Sequence, residues 1–404
     1  MQRIGPSVGK ASAGAPTSEL LGLIRSGRAP TRNALIAATG LSRSTVLQRV
    51  GQLIASGLVR EHASPPEPPS AGRPPSMLSF NDQLGVILAA DLGASHGRLA
   101  VADLAGRPLA EEHGRVELGS GAAIVTEWLL TRFRELIARA GVASREVLAV
   151  GVGVPGRVDV EGDRPVAIIP GWNGDPLRDK LSEAFDAPVL VDNDVKVMAL
   201  GEHRAHAGRL DPLLFVKLAT GIGAGLVIDG SLYRGLHGAA GHIGHMRAPI
   251  RSDTPCACGN RGCLAALVSG TAIARQLTAA GLEAKNSEDV VRLVAAGNYE
   301  AFEQVREAGR LLGEALAMIV SMLAPQAIVI GGELAGAREP LLAGLREVVY
   351  LRSLPIATGD LQILPSRLEA RAGVVGATAL AVEHVVSPEN LSRLIAERTG
   401  NKAA

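Results

Sequence analysis

Three side chains able to bind metal fall within eight residues, in Cys256-Ala257-Cys258-Gly259-Asn260-Arg261-Gly262-Cys263, and His245 stands eleven residues before the first of them. Three thiolates and one imidazole complete a tetrahedral zinc shell, and Gly259 and Gly262 let the loop wrap around an ion. Four protein ligands leave no position for water. The expected cofactor is therefore a structural Zn2+ on His245, Cys256, Cys258 and Cys263; the alternative is three unpaired thiols in a loop. Two other segments suit anions. Asp91-Leu92-Gly93-Ala94-Ser95 and Thr220-Gly221-Ile222-Gly223-Ala224-Gly225 are small-residue turns. Where side chains are absent, backbone N–H groups can approach a phosphate closely, although glycine also serves hairpins that bind nothing. Asp91, Gly93, Thr220, Gly221 and Gly223 are the candidate phosphate-loop residues.

These residues need elements to hold them. Each glycine turn follows an apolar run expected to be a buried strand (86–90 and 214–218) and precedes another (98–102 and 226–228). That is a weak internal repeat, joined near residue 200. Further strands are expected at 147–154, 189–191 and 327–330, and helices at 124–139, 195–205 and 302–323. Strands alternating with helices predict layered α/β halves with a cleft between them.

The amino-terminal texture differs. Thr17 or Ser18 can cap one helix and Thr31 a second, and Gly40-Leu41-Ser42 is a tight turn whose serine can cap a third. Val46, Val50, Leu53 and Ile54 recur there at helical spacing and should face inward, leaving Arg43, Ser44, Thr45, Gln48 and Arg49 outside. Leu58-Val59-Arg60 and Met77-Leu78-Ser79-Phe80 read as paired strands around a Pro-rich wing or linker. This is a winged helix-turn-helix pattern; the competing reading is a small helical interaction domain with a solvated linker.

The chain has 404 residues, 47% of them hydrophobic and 20% charged, which excludes global disorder and suggests two or three domains. The net charge of +1 hides an asymmetry. Residues 1–80 carry nine Lys/Arg against three Asp/Glu, or +6, and the remainder 32 against 37, or −5. Only the head is expected to meet a polyanion. Three clustered cysteines make no disulfide framework, and the first sixteen residues hold no apolar secretory stretch. The longest uncharged run, 315–332, is broken by Ser321, Pro325 and Gln326. A cytoplasmic protein with no membrane partner is expected.

The paired glycine turns are similar to the phosphate loops of the actin, hexokinase and heat-shock-protein ATPase superfamily, with Gly331-Gly332 where an adenine would be backed. More specifically, Gly241-His242-Ile243-Gly244-His245 followed by the cysteine motif resembles the signature of the ROK family (repressor, open reading frame, kinase). Asp91-Leu92-Gly93, Gly151-Val152-Gly153-Val154-Pro155-Gly156, Gly171-Trp172, Asn193-Asp194 and the Thr220 turn match in order, over residues 84 to 385. The resemblance implies a winged helix-turn-helix ahead of a two-lobed, actin/hexokinase-like (ribonuclease H-like) ATPase-type α/β fold. The expected domains are 1–82, the DNA-binding head with its Pro-rich wing or linker, 83–200, the first lobe, and 201–404, the second lobe with the zinc loop, whose C-terminal helices return to the first lobe. Such a head marks the family's transcriptional regulators, and its sugar kinases lack one. Gly72-Arg73-Pro74 resembles the Gly-Arg-Pro of those repressors, so Arg73 is expected to enter a narrow minor groove. With Arg32, Arg43, Ser44, Thr45, Gln48 and Arg49 it makes up the expected DNA-binding set.

In ROK kinases the aspartate matching Asp194 takes a proton from the sugar hydroxyl, and the residue matching Asn193 hydrogen-bonds a hydroxyl. Three family positions differ here: His242 and Ala265 replace glutamates, and Lys196 an asparagine. Losing two hydroxyl acceptors argues against kinase activity on a neutral hexose, and with it against ATP as a cofactor. Two lost negative charges and one added lysine favour a phosphorylated or amino sugar bound by Asn193, Asp194, Lys196, His242 and His245. The expected function is a sugar-responsive, DNA-binding regulator, a repressor of carbohydrate transport or catabolism genes. It would act as a homodimer or homotetramer on an inverted repeat in double-stranded DNA. The rival is an ATP-dependent sugar kinase with a regulatory head, in which Asp194 is catalytic.

Overall fold

The computed structural model describes residues 16–63, 76–142, 147–161, 164–168, 172 and 176–400. Local capping builds the head from three helices, α1 (Thr17–Arg25), α2 (Arg32–Thr39) and α3 (Arg43–Ala55). The Thr31 hydroxyl accepts from the Ala34 amide, and the Ser42 hydroxyl accepts from the Thr45 amide. At α1 the cap is Pro16 instead of Thr17 or Ser18, with no side-chain bond. Leu20, Leu21, Leu35, Val46, Val50 and Leu53 fill the core between the helices, while Ile54 is half-buried at its margin. Strands β1 (Val59–His62) and β2 (Met77–Phe80) then pair antiparallel, Val59 opposite Phe80 and His62 opposite Met77. The Gly72-Arg73-Pro74 segment, and Arg73 with it, lies outside the described residues.

The first lobe comprises β3 (Val86–Leu92), β4 (His96–Ala102), β5 (Pro108–Arg115), α4 (Ala122–Ala140), β6 (Val147–Val154), β7 (Arg157–Glu161), β8 (Arg164–Ile168), α5 (Pro176–Phe185), β9 (Val189–Asn193) and α6 (Asp194–Ala205). The second continues with β10 (Leu213–Leu218), β11 (Ile222–Ile228), β12 (Ser231–Tyr233), α7 (Leu264–Val268), α8 (Gly270–Ala279), α9 (Ser287–Ala295), α10 (Tyr299–Leu323), β13 (Ala327–Gly331), α11 (Glu339–Arg352), α12 (Pro355–Thr358) and β14 (Gln362–Pro365). Helices α13 (Ala372–Val386) and α14 (Pro388–Thr399) close the chain.

The two main sheets have the same plan. Their orders are β5-β4-β3-β6-β9 and β12-β11-β10-β13-β14, each with three antiparallel strands followed by two parallel ones. The glycine turns occupy equivalent places, between β3 and β4 and between β10 and β11. The faint sequence repeat is thus a duplicated fold. Among the described residues no helix is long and apolar enough to cross a membrane.

The carboxyl terminus touches both the first lobe and the head. Helix α13 is buried along most of its length and packs on α6, β3 and β6 of the first lobe. Its contact with α6 is backbone to backbone: a methyl group on Gly376 would lie 1.8 Å from the Val197 carbonyl oxygen, and one on Gly201 would lie 2.2 Å from that of Ala372. Helix α14 extends from the lobe to the head. It crosses to α1 and α3, and Leu391 is buried within the head's own core. Phe80, Leu84 and Leu394 touch both the head core and a first-lobe cluster that includes Ile87, Leu104 and Ala149. The head is therefore docked on the lobe by an apolar joint.

Leu391→Ala is expected to open a cavity in that joint and cost about 2–5 kcal/mol of head stability. Urea unfolding followed by proteolysis of α1–α3 measures this; an unchanged midpoint contradicts the packing.

Candidate functional site

A cavity of about 1030 Å³ lies between the lobes. It collects Asp91 and Gly93 from the first turn, Thr220, Gly221 and Gly223 from the second, Asn193 and Asp194 from the β9–α6 junction, and His242 and His245. Asn193 shapes that junction by capping α6. Its Oδ1 accepts from the amides of Val195 (3.1 Å) and Lys196 (3.3 Å), and its Nδ2 donates to the Gly156 carbonyl (2.8 Å) and to Asp194 Oδ1 (3.0 Å). Asp194 is buried, and its Oδ2 accepts from Lys217 Nζ at 2.6 Å. Burial pulls Lys217 down, but Asp194 and then Asp91 outweigh it and hold the ammonium above the ordinary lysine range. Burial pushes Asp91 up to about 7, with Lys217 opposing.

Lys217 is a site residue that the sequence reading missed. Its signal is a lone lysine within the strand Leu-Leu-Phe-Val-Lys-Leu, whose other residues are all buried.

Lys196 also lines the cavity but does not face solvent. It is buried, and its ammonium donates to the Gly238 carbonyl. Burial lowers its pKa, Asp192 opposes, and Arg234 adds to the lowering. Arg234 in turn donates to Asp192 Oδ2 at 2.6 Å, so these charges are balanced beside the cavity. His242 is exposed on the cavity wall. The two turns differ in openness. The space a Cβ on Gly93 would need is filled by the His96 ring, 2.4 Å away, whereas nothing lies within 4 Å of the same position on Gly221.

On the cavity's rim His245, Cys256, Cys258 and Cys263 converge, with their ligand atoms all within 4.8 Å of one another. Cys256 Sγ lies 3.6 Å from His245 Nδ1, and Cys258 Sγ lies 3.7 Å from Cys263 Sγ. Metal–sulfur bonds of about 2.3 Å give a tetrahedral edge of roughly 3.7 Å, so the donor set fits one ion. Gly262, at φ +70°, makes the loop possible, since a side chain there would strike the Ser252 carbonyl 2.6 Å away. Because His245 also lines the cavity, the ion would anchor the wall that carries His242.

In the head, Arg43, Ser44 and Gln48 are exposed on α3, and Thr45 and Arg49 are half-buried. The Ser42 hydroxyl also bonds those of Ser44 (2.9 Å) and Thr45 (2.8 Å), fixing the start of the helix. Arg32, also in the expected DNA-binding set, lies at the start of α2. Its guanidinium is paired with the Glu61 carboxylate, the second bond at 3.0 Å, and ties α2 to β1. Beneath the head, Arg204 near the end of α6 donates to Glu383 on α13. Arg25 of α1 stacks on Phe80 at 5.7 Å; burial and then Arg204 lower its pKa, and Glu383 opposes.

A duplicated α/β fold with an interlobe cavity, a metal-donor loop and a helical head defines a hexokinase-like sensor fused to a helix-turn-helix. The ROK family model matches residues 87–384, and the chain belongs to that family. The xylose repressor of Caldicellulosiruptor bescii is 28% identical over 88% of this chain and 92% of its own length. The glucokinase of Halalkalibacterium halodurans is 30% identical, over 71% of this chain and 92% of its own. A solved ROK family transcriptional regulator, described as a homologue of the E. coli MLC protein, superposes with a TM-score of 0.81 at 26% identity, covering 94% of this chain and 98% of that one.

Cys263→Ser is expected to remove the stoichiometric metal from the purified chain and to lower its melting temperature. Elemental analysis beside a thermal melt checks both, and a variant that keeps its metal contradicts the assignment.

Proposed function

We propose that the chain is a sugar-responsive repressor that grips duplex DNA with its head and holds a sugar between its lobes. In this reading residues 1–82 read DNA, while 83–200 and 201–404 close on the sugar. The observation that carries it is the docking of the head. The head core that carries α3 is joined through α14 to α13, which packs on α6 and is bonded to it by Arg204 and Glu383, and the first residues of α6 line the cavity. The reach of the similarity supports it, since the repressor and regulator align over 88% and 94% of this chain and the glucokinase over 71%.

Arg43, Ser44, Thr45, Gln48 and Arg49 are the residues proposed to meet bases or phosphates in the major groove. One such head covers little DNA, so a homodimer or homotetramer on an inverted repeat is the proposed assembly. The ion of the His245 loop is proposed to be Zn2+, matched by three sulfurs and one nitrogen, with a structural role. Asn193 and Asp194 are the proposed hydroxyl partners. With Lys196 bonded to Gly238 and Lys217 to Asp194, the lysines lend no support to an anionic effector. D-xylose, named in the repressor relative, is the first probe.

Calorimetric titration with D-xylose, D-glucose, N-acetylglucosamine and their phosphates is expected to show binding of a neutral sugar; heat from a sugar phosphate alone rejects this reading of the cavity. Arg43→Ala is expected to weaken binding to genomic fragments retained by the chain by about 1–3 kcal/mol, and to reduce the salt slope by about one if the contact is to phosphate. Unchanged affinity across a salt series removes α3 from the DNA interface.

A further inference from the structure

A nucleotide in a cavity of this kind needs backbone donors for its phosphates and a divalent cation held beside them by carboxylates. The Thr220 turn can serve the first need. The second meets an obstacle in this chain. Among the described residues, Asp91, at the end of β3, and Asp194, at the start of α6, are the first-lobe carboxylates that line the cavity. From β10 of the second lobe, Lys217 brings an ammonium to them, with Nζ 2.6 Å from Asp194 Oδ2. Asp91 and Glu333 act on the same ammonium electrostatically. The other oxygen of Asp194 accepts from Asn193, so both of its oxygens already have donors. A divalent ion there would have to displace a cation anchored by its own strand, and the two positive charges would repel at short range in a partly dry site.

We propose that Lys217 is the resident cation of the interlobe cavity: it takes the place of a metal ion between the carboxylates, ties Asp194 across the gap between the lobes, and confines the site to uncharged polyols without a metal-bound nucleotide. This rests on the sugar-sensor reading and names the ligand class of the same site. Asp194 carries an ammonium on one oxygen and a side-chain amide on the other. It still has lone pairs for a hydroxyl donor. The glycine turns can then carry the geometry of the fold without nucleotide chemistry. At the first turn the His96 ring already fills the face of Gly93.

The test is titration of the full metal-loaded chain with Mn2+, followed by electron paramagnetic resonance, in wild type, Lys217→Ala and Lys217→Met. The methionine retains the packed stem without the charge, so it decides if the alanine variant fails to fold. Wild type is expected to show no Mn2+ site that depends on Asp194. The Lys217 variants are expected to bind Mn2+ at least roughly tenfold more tightly, and to lose the gain when Asp194→Asn is added. An Asp194-dependent Mn2+ site in wild type, or folded Lys217 variants with no gain, overturns the proposal. A wild-type chain that ignores every sugar defeats the sensor reading and leaves the Mn2+ comparison unaffected, so the two failures are distinguishable.

Discussion

The close crossing of α6 and α13 is the constraint on which the rest depends. With a methyl on Gly376 placed 1.8 Å from the Val197 carbonyl oxygen, the two backbones touch, and the helices cannot slide apart without breaking the first lobe. Helix α6 runs from Asp194 in the cavity to Ala205, with Arg204 in its last turn beneath the head, a length of about 18 Å at 1.5 Å per residue. Helix α13 runs beside it and hands the chain to α14, which completes the head's core through Leu391. Packed side chains of α13 and α14 thus connect α1 and α3 to the helix whose first residues line the cavity. A ligand can exploit that route only by favouring one lobe arrangement over the other.

The cavity's electrostatics follow from pairing. Lys217 neutralises Asp194, Arg234 balances Asp192, and Lys196 is bonded to the Gly238 carbonyl. What remains along the wall is a set of hydrogen-bonding groups beside these balanced charges. The metal-donor loop serves the same end, because His245 belongs to both the ligand set and the cavity wall.

Much of this was legible in the residues. Apolar runs ending in glycine placed β3, β6, β10 and β13, because buried strands have a short and nearly continuous pattern. The metal donors were visible because thiols so close in sequence have few other uses. Contacts made by distant register were not. Arg32 has the look of an outward arginine, and its partner Glu61 stands 29 residues further along the chain. Helix α14 shows an ordinary amphipathic face, in which nothing names the head as its partner. Lys217 stood in plain view, yet the identity of its counter-ion depends on how the two lobes meet.

The most direct test of the account is operator affinity with and without a bound neutral sugar, in wild type and in Glu383→Gln. The account predicts that sugar changes wild-type affinity by a factor within the usual allosteric range of about 5–150, and that the variant binds sugar and DNA separately but loses most of that factor. A Glu383→Gln chain with full sugar response would show that the signal does not pass through this contact; a wild-type chain with no response would contradict the account itself.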